Sequence, residues 1–503
     1  MSTTRTPAET DTADGVSTFT VTSPATGEEL GSYPLHSTDE VAGAVAVARR
    51  ATQAWVAIGF AGRRAALDAW RAEIVRGRAE LAELIHVETG KPVSDARLEI
   101  TLGLEHLKWA ARNAQKILGR RSVAPSVLTF NNAATVEYFP LGVVGVISPW
   151  NYPAYVPLIS SASIFAGGNA IVLKPSELAP ATGIWLAEAF RRAVPAHPVL
   201  QVVTGLGATG AALCRGGVDK IAFTGSTATG KLVMASCAEN LVPVVMECGG
   251  KDALVVDADA DLDAAADAAV WGAIANAGQT CVAVERAYVH EAVYDQFVTK
   301  VTELATTVDA GRPDSKIGPI TLPKQVVIIR EQIEDALARG GRALVGGIDG
   351  ITGNYVQPTI LVDVPEESSA VTEETFGPTL TIAKVRDADE AVQRVNASRY
   401  GLGSTVFSRR NGRGIADRIR SGATSVNGVL VHPLVPSLPL GGVGASGFGR
   451  VNGPDGLREF TYAKSTTEQR FPLPLRIASF SRSARVDKLV DLATALLHGR
   501  RRK

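Results

Sequence analysis

Residues 138–173 read YFPLGVVGVISPWNYPAYVPLISSASIFAGGNAIVL and contain no charged side chain. An uncharged run of this length raises the question of a membrane span. Pro140, Pro149, Pro153 and Pro157, with Gly142, Gly145, Gly167 and Gly168, would break a spanning helix repeatedly. The stretch reads instead as an interior unit. Residues 143–147 (VVGVI) have the continuous apolar character of a strand buried on both faces, Pro149 turns the chain, and a helix follows. A second turn at Gly167 and Gly168 leads into another buried strand over 170–173.

The same texture extends outward. Strand-like runs at 145–147, 170–173, 199–203, 220–223, 242–246 and 254–256 alternate with Ala-rich helical stretches such as 183–193. The second half repeats the pattern at 286–289, 359–362, 379–384 and 404–407. Alternation of this kind predicts βαβ crossovers, an α/β class and two open, mostly parallel sheets. A chain of 503 residues is too long for one ordinary core, and 46% hydrophobic content is ample to fill more than one.

The 51 basic and 51 acidic residues cancel, which gives no general attraction to nucleic acid, so no nucleic-acid partner is expected. Cys214, Cys237, Cys248 and Cys281 are too scattered for a disulfide framework, and no CxxC or Cys/His cluster suggests a metal. A reducing cytoplasm fits this usage. Residues 1–15, rich in Thr, Ala and Asp without an apolar core, read as an unstructured lead-in rather than a signal peptide.

Two groups carry candidate chemistry. Cys281 closes the run NAGQTC (276–281), where a glycine-marked turn can free backbone N–H groups around a sulfur; an isolated cysteine is otherwise a small buried hydrophobe. Glu247, in MECGGK (246–251), directly follows an apolar run and precedes Gly-Gly, a setting that desolvates a carboxylate and raises its pKa. A Cys–His hydrolase would compete with this pairing, but none of the seven histidines stands in a motif with a cysteine. Asn151, in a Pro-Trp-Asn turn before Tyr152-Pro153, is either a rigid amide donor to an oxyanion or a cap for the following helix.

Pro149-Trp150-Asn151, MECGGK, NAGQTC and ETFGP (374–378), in this order, resemble the NAD(P)-dependent aldehyde dehydrogenase superfamily over about residues 18–466. The resemblance implies that Cys281 is the nucleophile, that the Asn151 amide and the Cys281 N–H hold the oxyanion, and that Glu247 activates water. It also implies a domain plan: lead-in 1–15, NAD-binding domain 16–127 and 143–247, catalytic domain 248–437, and tail 471–503. An antiparallel oligomerisation arm over 128–142 and 455–470 would make a homodimer or homotetramer. Within the arm, 135–139 (TVEYF) has strand composition and would pair near 460–467.

For the cofactor, the sequence offers two glycine-rich turns. GLGATG (205–210) satisfies GxGxxG after a strand, whereas FTGSTATG (223–230) also joins strand to helix. The resembled family uses the second, so Thr224, Gly225, Ser226 and Gly230 are the leading candidates, with Gly207 of the first retained. The resemblance adds Ile147, Pro149, Trp150, Lys174 and Ser176, and assigns Glu374 and Phe376 to the nicotinamide ribose and ring. Glu177 would accept from the 2′-hydroxyl of NAD and repel the 2′-phosphate of NADP, which favours NAD without excluding NADP.

Relatives that take a free-carboxylate substrate such as succinate semialdehyde place arginines where this chain has Ala275 and Ile159. The runs NGVLVH (427–432) and SLPLGGVG (437–444) resemble the branch acting on fatty and aromatic aldehydes instead. The expected substrate is therefore a hydrophobic aliphatic or aromatic aldehyde. Succinate semialdehyde is the alternative, and a catalytically silent structural relative is the alternative of another class. From Arg485 onward, Val486, Leu489, Val490, Ala493, Leu496 and Leu497 share a helical face that ends in Arg500-Arg501-Arg502-Lys503. Such a basic amphipathic helix can lie on anionic lipid or pack against its own or a partner subunit.

Overall fold

The computed structural model describes residues 9–11, 17–312, 314–473 and 477–499. The uncharged stretch folds as strand Val143–Ile147, helix Tyr155–Gly167 and strand Ala170–Lys174, the helix ending at Gly168 with φ 98°. No helix among the described residues is long and apolar enough to cross a membrane.

These strands sit centrally in a six-stranded sheet ordered Gly447–Phe448, Val244–Glu247, Lys220–Thr224, Val143–Ile147, Ala170–Lys174, Leu200–Val202. All pairings are parallel except that of Gly447–Phe448. The chain winds outward in both directions from the junction of Val143–Ile147 with Lys220–Thr224. A switch point of this kind opens a crevice beyond the carboxyl ends of the strands, where ligands of open α/β sheets bind. Ile147 and Thr224 end there. Glu247 is one strand further, the last residue of its strand rather than the first after it, pinned by parallel pairing to Thr224 and antiparallel pairing to Gly447.

A second sheet is ordered Arg342–Val345, Thr359–Val362, Thr379–Val385, Val284–His290, Asp252–Val256, Gly403–Phe407, Ala423–Val426, with only the first pairing antiparallel. Lys251 and Cys281 lie just before two of its central strands, so the carboxyl ends of one sheet and the amino ends of the other supply the same region.

Helix Tyr155–Gly167 is anchored by an aromatic cluster. Phe165 stacks on Phe190 at 4.9 Å, Trp70 meets Phe190 edge-on at 5.2 Å, and the Trp55 and Trp70 indole N–H groups donate to Phe165 O and Leu186 O, each at 3.1 Å. Full burial of such side chains stabilises by roughly 2–3 kcal/mol each, and the indole donors find partners as buried tryptophans must.

The chain forms two compact units, one from residues up to Leu118 with Pro140–Tyr462, the other from Gly119–Phe139 with residues from Ala463 onward. Strand Asn132–Pro140 lies between Arg121–Val123, to which it is antiparallel, and Thr461–Gln469, the neighbour that the resemblance implies. The tail carries helix Ala484–His498, whereas Arg500 to Lys503 fall outside the described residues. In the lead-in, expected to lack structure, Glu9–Asp11 pairs with the Ser17–Thr22 strand; the remainder of 1–15 lies outside the described residues.

Candidate active site

A cavity of ≈ 310 Å³ is lined by Asn151, Glu247 and Cys281 together. Cys281 owes its presentation to an unusual backbone. Helix Leu262–Ile274, capped by Asp261, stops at Ala275, and Asn276, Ala277 and Gly278 follow with φ of 56°, 55° and 72°. A left-handed conformation costs a residue with a Cβ roughly 1–2 kcal/mol, so Ala277 in particular is held against its preference. Gly278 is required for space as well, because a Cβ there would fall 2.0 Å from Gly377 O.

Side-chain amides hold the turn. Asn276 Nδ2 donates to Asn151 O at 3.2 Å and Gln279 O at 3.1 Å. Gln279 Nε2 donates to Asn276 O and Pro319 O, and Gln279 Oε1 accepts from Thr321 N at 2.8 Å. Each such bond contributes about 1 kcal/mol, enough together to offset the strain. The backbone N–H of Cys281 has no acceptor among the described residues, which leaves it available to an oxyanion.

Cys281 is half-buried, whereas Cys214, Cys237 and Cys248 are buried. Burial pushes the Cys281 thiol well above its ordinary value, and the nearby Glu247, Asp252 and Glu374 carboxyls push further; the Val282 N–H pulls the other way. The resting sulfur keeps its proton in these surroundings.

Asn151 donates through Nδ2 to Gln279 O at 2.9 Å, on the Cys281 loop. It does not cap the following helix, whose N-cap is Ala154. Glu247 is buried with Oε1 unpartnered, and burial raises its pKa well above the carboxylate range; the Arg450 charge opposes this and Glu459 reinforces it. An orphaned, desolvated carboxyl facing a cavity is poised for proton transfer rather than for stability.

On the other side of the cavity stand Pro149, Trp150, Thr224, Gly225, Ser226, Glu374 and Phe376. Ser226 opens helix Thr227–Ala238, its hydroxyl accepting from Thr229 N at 3.2 Å. The Trp150 and Phe376 rings meet edge-on at 5.7 Å, and Phe376 itself has φ 50°. Glu374 accepts from Gly250 N at 3.2 Å, and burial, then Glu285, pushes its carboxyl up to about 8. Glu285 accepts from Thr375 N and Phe376 N while pairing with the buried Lys251 at 2.5 Å, which fixes the backbone behind Glu374.

Ile147, Lys174, Ser176, Glu177, Gly207 and Gly230 do not line this cavity. Ile147 pairs with Lys174 at the strand ends, Lys174 Nζ lies 3.8 Å from the partly exposed Glu177 carboxylate, and a Cβ on Gly210 would touch both Lys174 and Ile147. Gly207 opens helix Gly207–Arg215, where a Cβ would meet nothing within 4 Å, so both glycine-rich turns present helix starts to the crevice side of the sheet. Gly230 packs inward, where a Cβ would meet Cys248 Sγ at 3.1 Å. The residues present fit a dinucleotide: helix starts that could hold its phosphates, carboxylates at Glu177 and Glu374 that could accept from its riboses, and the Trp150–Phe376 pair in the same cavity as Cys281.

Apart from Lys91, Asp95 and Glu99, the rest of the cavity is largely apolar. Leu98, Leu102, Trp271, Leu430 and Leu434 line it together with Ala275 and Ile159, the two positions singled out in the sequence. Trp271, on helix Leu262–Ile274, is 46% exposed. Lys91 and Glu99 also line the cavity and belong to none of the motifs read in the sequence, although Lys91 directly follows Gly90, the left-handed cap of helix Arg78–Thr89.

The model of the aldehyde dehydrogenase family matches residues 11–466. The chain is 36% identical over 464 residues to the 4,4'-diapolycopene aldehyde oxidase of Methylomonas sp, covering 91% of this chain and 87% of that protein. It is 35% identical over 454 residues to the succinate-semialdehyde dehydrogenase [NADP(+)] of Escherichia coli (strain K12), covering 88% and 93%. The crystal structure of an NAD-dependent aldehyde dehydrogenase from Sinorhizobium meliloti superposes with a TM-score of 0.87 at 34% identity, over 92% of this chain and 94% of that one. With the cavity and its flanking sheets, these likenesses lead to one conclusion: the chain belongs to the aldehyde dehydrogenase family, oxidoreductases that act on aldehydes with NAD or NADP.

Proposed function

We propose that the protein oxidises a hydrophobic aliphatic or aromatic aldehyde to its carboxylic acid through a covalent adduct on Cys281, with NAD the preferred acceptor and NADP open. The observation that carries this reading is the shared cavity, lined by Cys281, Glu247 and Asn151 together with apolar side chains such as Leu98, Leu102, Leu430 and Leu434. When bound, the dinucleotide supplies the hydride acceptor and a positive charge that favours the thiolate. The Cys281 thiol releases its proton to water, its sulfur adds to the carbonyl carbon, and the carbonyl oxygen takes up the negative charge. The Asn151 amide and the Cys281 N–H stabilise it; one such donor is worth about 10²–10³ in rate. Oxidation of this thiohemiacetal leaves a thioester on Cys281. Glu247 then takes a proton from water as its oxygen bonds to the thioester carbon, the C–S bond breaks, and the acid departs.

The competing reading, a succinate-semialdehyde dehydrogenase, draws on the likeness to the Escherichia coli enzyme. A terminal carboxylate would need a free cation in the cavity. Lys91 there is paired with Glu99 at 2.7 Å, and neither Arg286 nor Arg450 lines it. This distribution of charge supports the apolar substrate. The test is kcat/KM for butanal, hexanal, benzaldehyde and succinate semialdehyde with NAD and with NADP. Each buried methylene, worth about 0.8 kcal/mol, should raise kcat/KM roughly fourfold, and the two that separate butanal from hexanal about 15-fold together. The highest value for succinate semialdehyde would reverse the choice, and a blank screen would favour the silent relative.

The same reading carries the domain plan inferred from sequence, a cytoplasmic homodimer or homotetramer joined through the arm, and a peripheral role for the tail. Helix Ala484–His498 turns Val486 inward and leaves Leu489, Leu492 and Leu496 exposed, with Arg485 and Lys488 on the same helix. On this helix Asp487 and Asp491 balance Arg485 and Lys488, so contact with anionic lipid would rest on the exposed leucines and on the basic run Arg500 to Lys503 of the sequence, with packing against a partner subunit as the alternative.

A further inference from the structure

We propose that Lys91 and Glu99 are positioning residues for Asn151, a buried ion pair that aims the amide donor of the oxyanion site; this rests on the role given to Asn151 above. Lys91 Nζ donates to Asn151 O at 2.6 Å and to Glu99 Oε2 at 2.7 Å. The other carboxylate oxygen, Glu99 Oε1, accepts from Ala154 N at 2.8 Å and Tyr155 N at 3.0 Å. The pair therefore grips the Asn151–Tyr155 turn at both ends.

The turn has little to hold itself. Pro149 and Pro153 have no N–H to donate, and helix Tyr155–Gly167 has no side-chain cap at its own N-cap, Ala154. Glu99, projecting from helix Val93–Leu118, supplies that missing cap from outside the segment. Lys91 also lies 4.3 Å from the Tyr152 ring centroid, so the ammonium touches consecutive residues of the turn.

Both charged side chains are almost wholly buried, at 2% and 0% exposure. An ion pair taken out of water adds little net stability over apolar residues of the same shape, and what it supplies here is a single geometry. Asn276 Nδ2 also reaches Asn151 O, at 3.2 Å, from the Cys281 loop. The Asn151 carbonyl is thus clamped between the nucleophile loop and the Lys91 ammonium. A displacement of about 1 Å at a reacting centre can cost roughly 100-fold in rate. Loosening one side of the clamp should therefore be felt at the amide.

The test is a double-mutant cycle on the full-length protein with hexanal and NAD. Lys91→Met and Asn151→Ala are made singly and together, and rapid mixing follows the burst of reduced cofactor that reports acylation. NAD affinity by fluorescence quenching and thermal unfolding are measured alongside. Lys91→Met should slow the burst roughly 10- to 100-fold with NAD affinity nearly unchanged, yet by no more than about twofold once Asn151 is already alanine. Equal slowing in both backgrounds would assign Lys91 a general structural role and overturn the proposal, as would an unchanged burst in Lys91→Met itself. A wild-type burst in Asn151→Ala would instead sink the assignment of Asn151, and with it this inference. Should Lys91→Met fail to fold, Glu99→Gln, which keeps shape and removes the anionic partner of Lys91, goes through the same cycle with the same expected and overturning results.

Discussion

Gly249→Ala isolates the role of Glu374 without touching it. A Cβ at position 249 would lie 2.1 Å from both Glu374 carboxylate oxygens, whereas ordinary contact begins at 3.4 Å, so the carboxylate must retreat by roughly 1.3 Å. It is the far end of a flexible side chain, and its backbone donor among the described residues is Gly250 N at 3.2 Å. The fold should therefore tolerate the change, with little shift in Tm. If Glu374 holds the nicotinamide ribose, as the resemblance implies, that contact is what is lost. Hydrogen bonds to a charged group contribute about 1.5–3 kcal/mol, which corresponds to roughly a 10- to 150-fold rise in the Kd for NAD.

The pH dependence sharpens the test. The ionised carboxylate is the form that accepts from ribose hydroxyls, and burial holds this group up to about 8. Wild-type affinity for NAD should then rise as pH passes through that value and level off above it, whereas the variant should show no such rise. Fluorescence quenching by NAD across pH, with thermal unfolding in parallel, reads both effects. Glu374→Ala should match the variant, and the double variant should lose nothing more. Unchanged affinity in Gly249→Ala would refute the reasoning, and so would a large fall in Tm, which would make Gly249 a packing glycine rather than a spacer for Glu374.

Cys281→Ala should abolish oxidation while retaining NAD binding, and Cys248→Ala, altering a buried thiol, should remain active. Glu247→Gln should give a burst of reduced cofactor followed by slow turnover; because the raised pKa of Glu247 delays ionisation, wild-type deacylation should climb with pH above the usual carboxylate range, and the Gln variant should not. Glu177→Ser, removing the carboxylate beside Lys174, should shift the ratio of kcat/KM toward NADP, and an unshifted ratio would move the adenosine ribose away from Glu177. The full chain should co-sediment with phosphatidylglycerol vesicles at low salt, less at high salt, and lose this on deletion from Ala484; loss of oligomer with sedimentation intact would assign the helix to packing.

The parts of this architecture that sequence discloses share a physical cause. Central strands of a parallel sheet are buried on both faces, so 143–147 and 170–173 announce themselves as apolar runs, and their helix announces itself through the flanking prolines and glycines. Cys281, Glu247 and Asn151 stand in short motifs because turns with left-handed backbone or close approach demand glycine, as at Gly278 against Gly377 O. Ala277 is the opposite case. It adopts φ 55° with a side chain that gives no sign of it, since the conformation is imposed by the amides of Asn276 and Gln279.

Lys91 and Glu99 are less legible still. Lys91 lies between helices Arg78–Thr89 and Val93–Leu118, and Glu99 is on the second. A charge in such a place is ordinarily solvated. Only the packing of Val93–Leu118 against Tyr155–Gly167 turns these side chains inward onto a turn with too few donors and acceptors of its own. The need that they meet, a cap for Ala154 and a donor for Asn151 O, is visible in the sequence of the turn only through its prolines, since Asn151 reads there as a candidate cap that the structure does not use. The residues that meet it are not, because any buried acid and base at that point would satisfy the same chemistry. Local sequence can thus disclose an unmet hydrogen-bonding demand, while tertiary structure alone names the supplier.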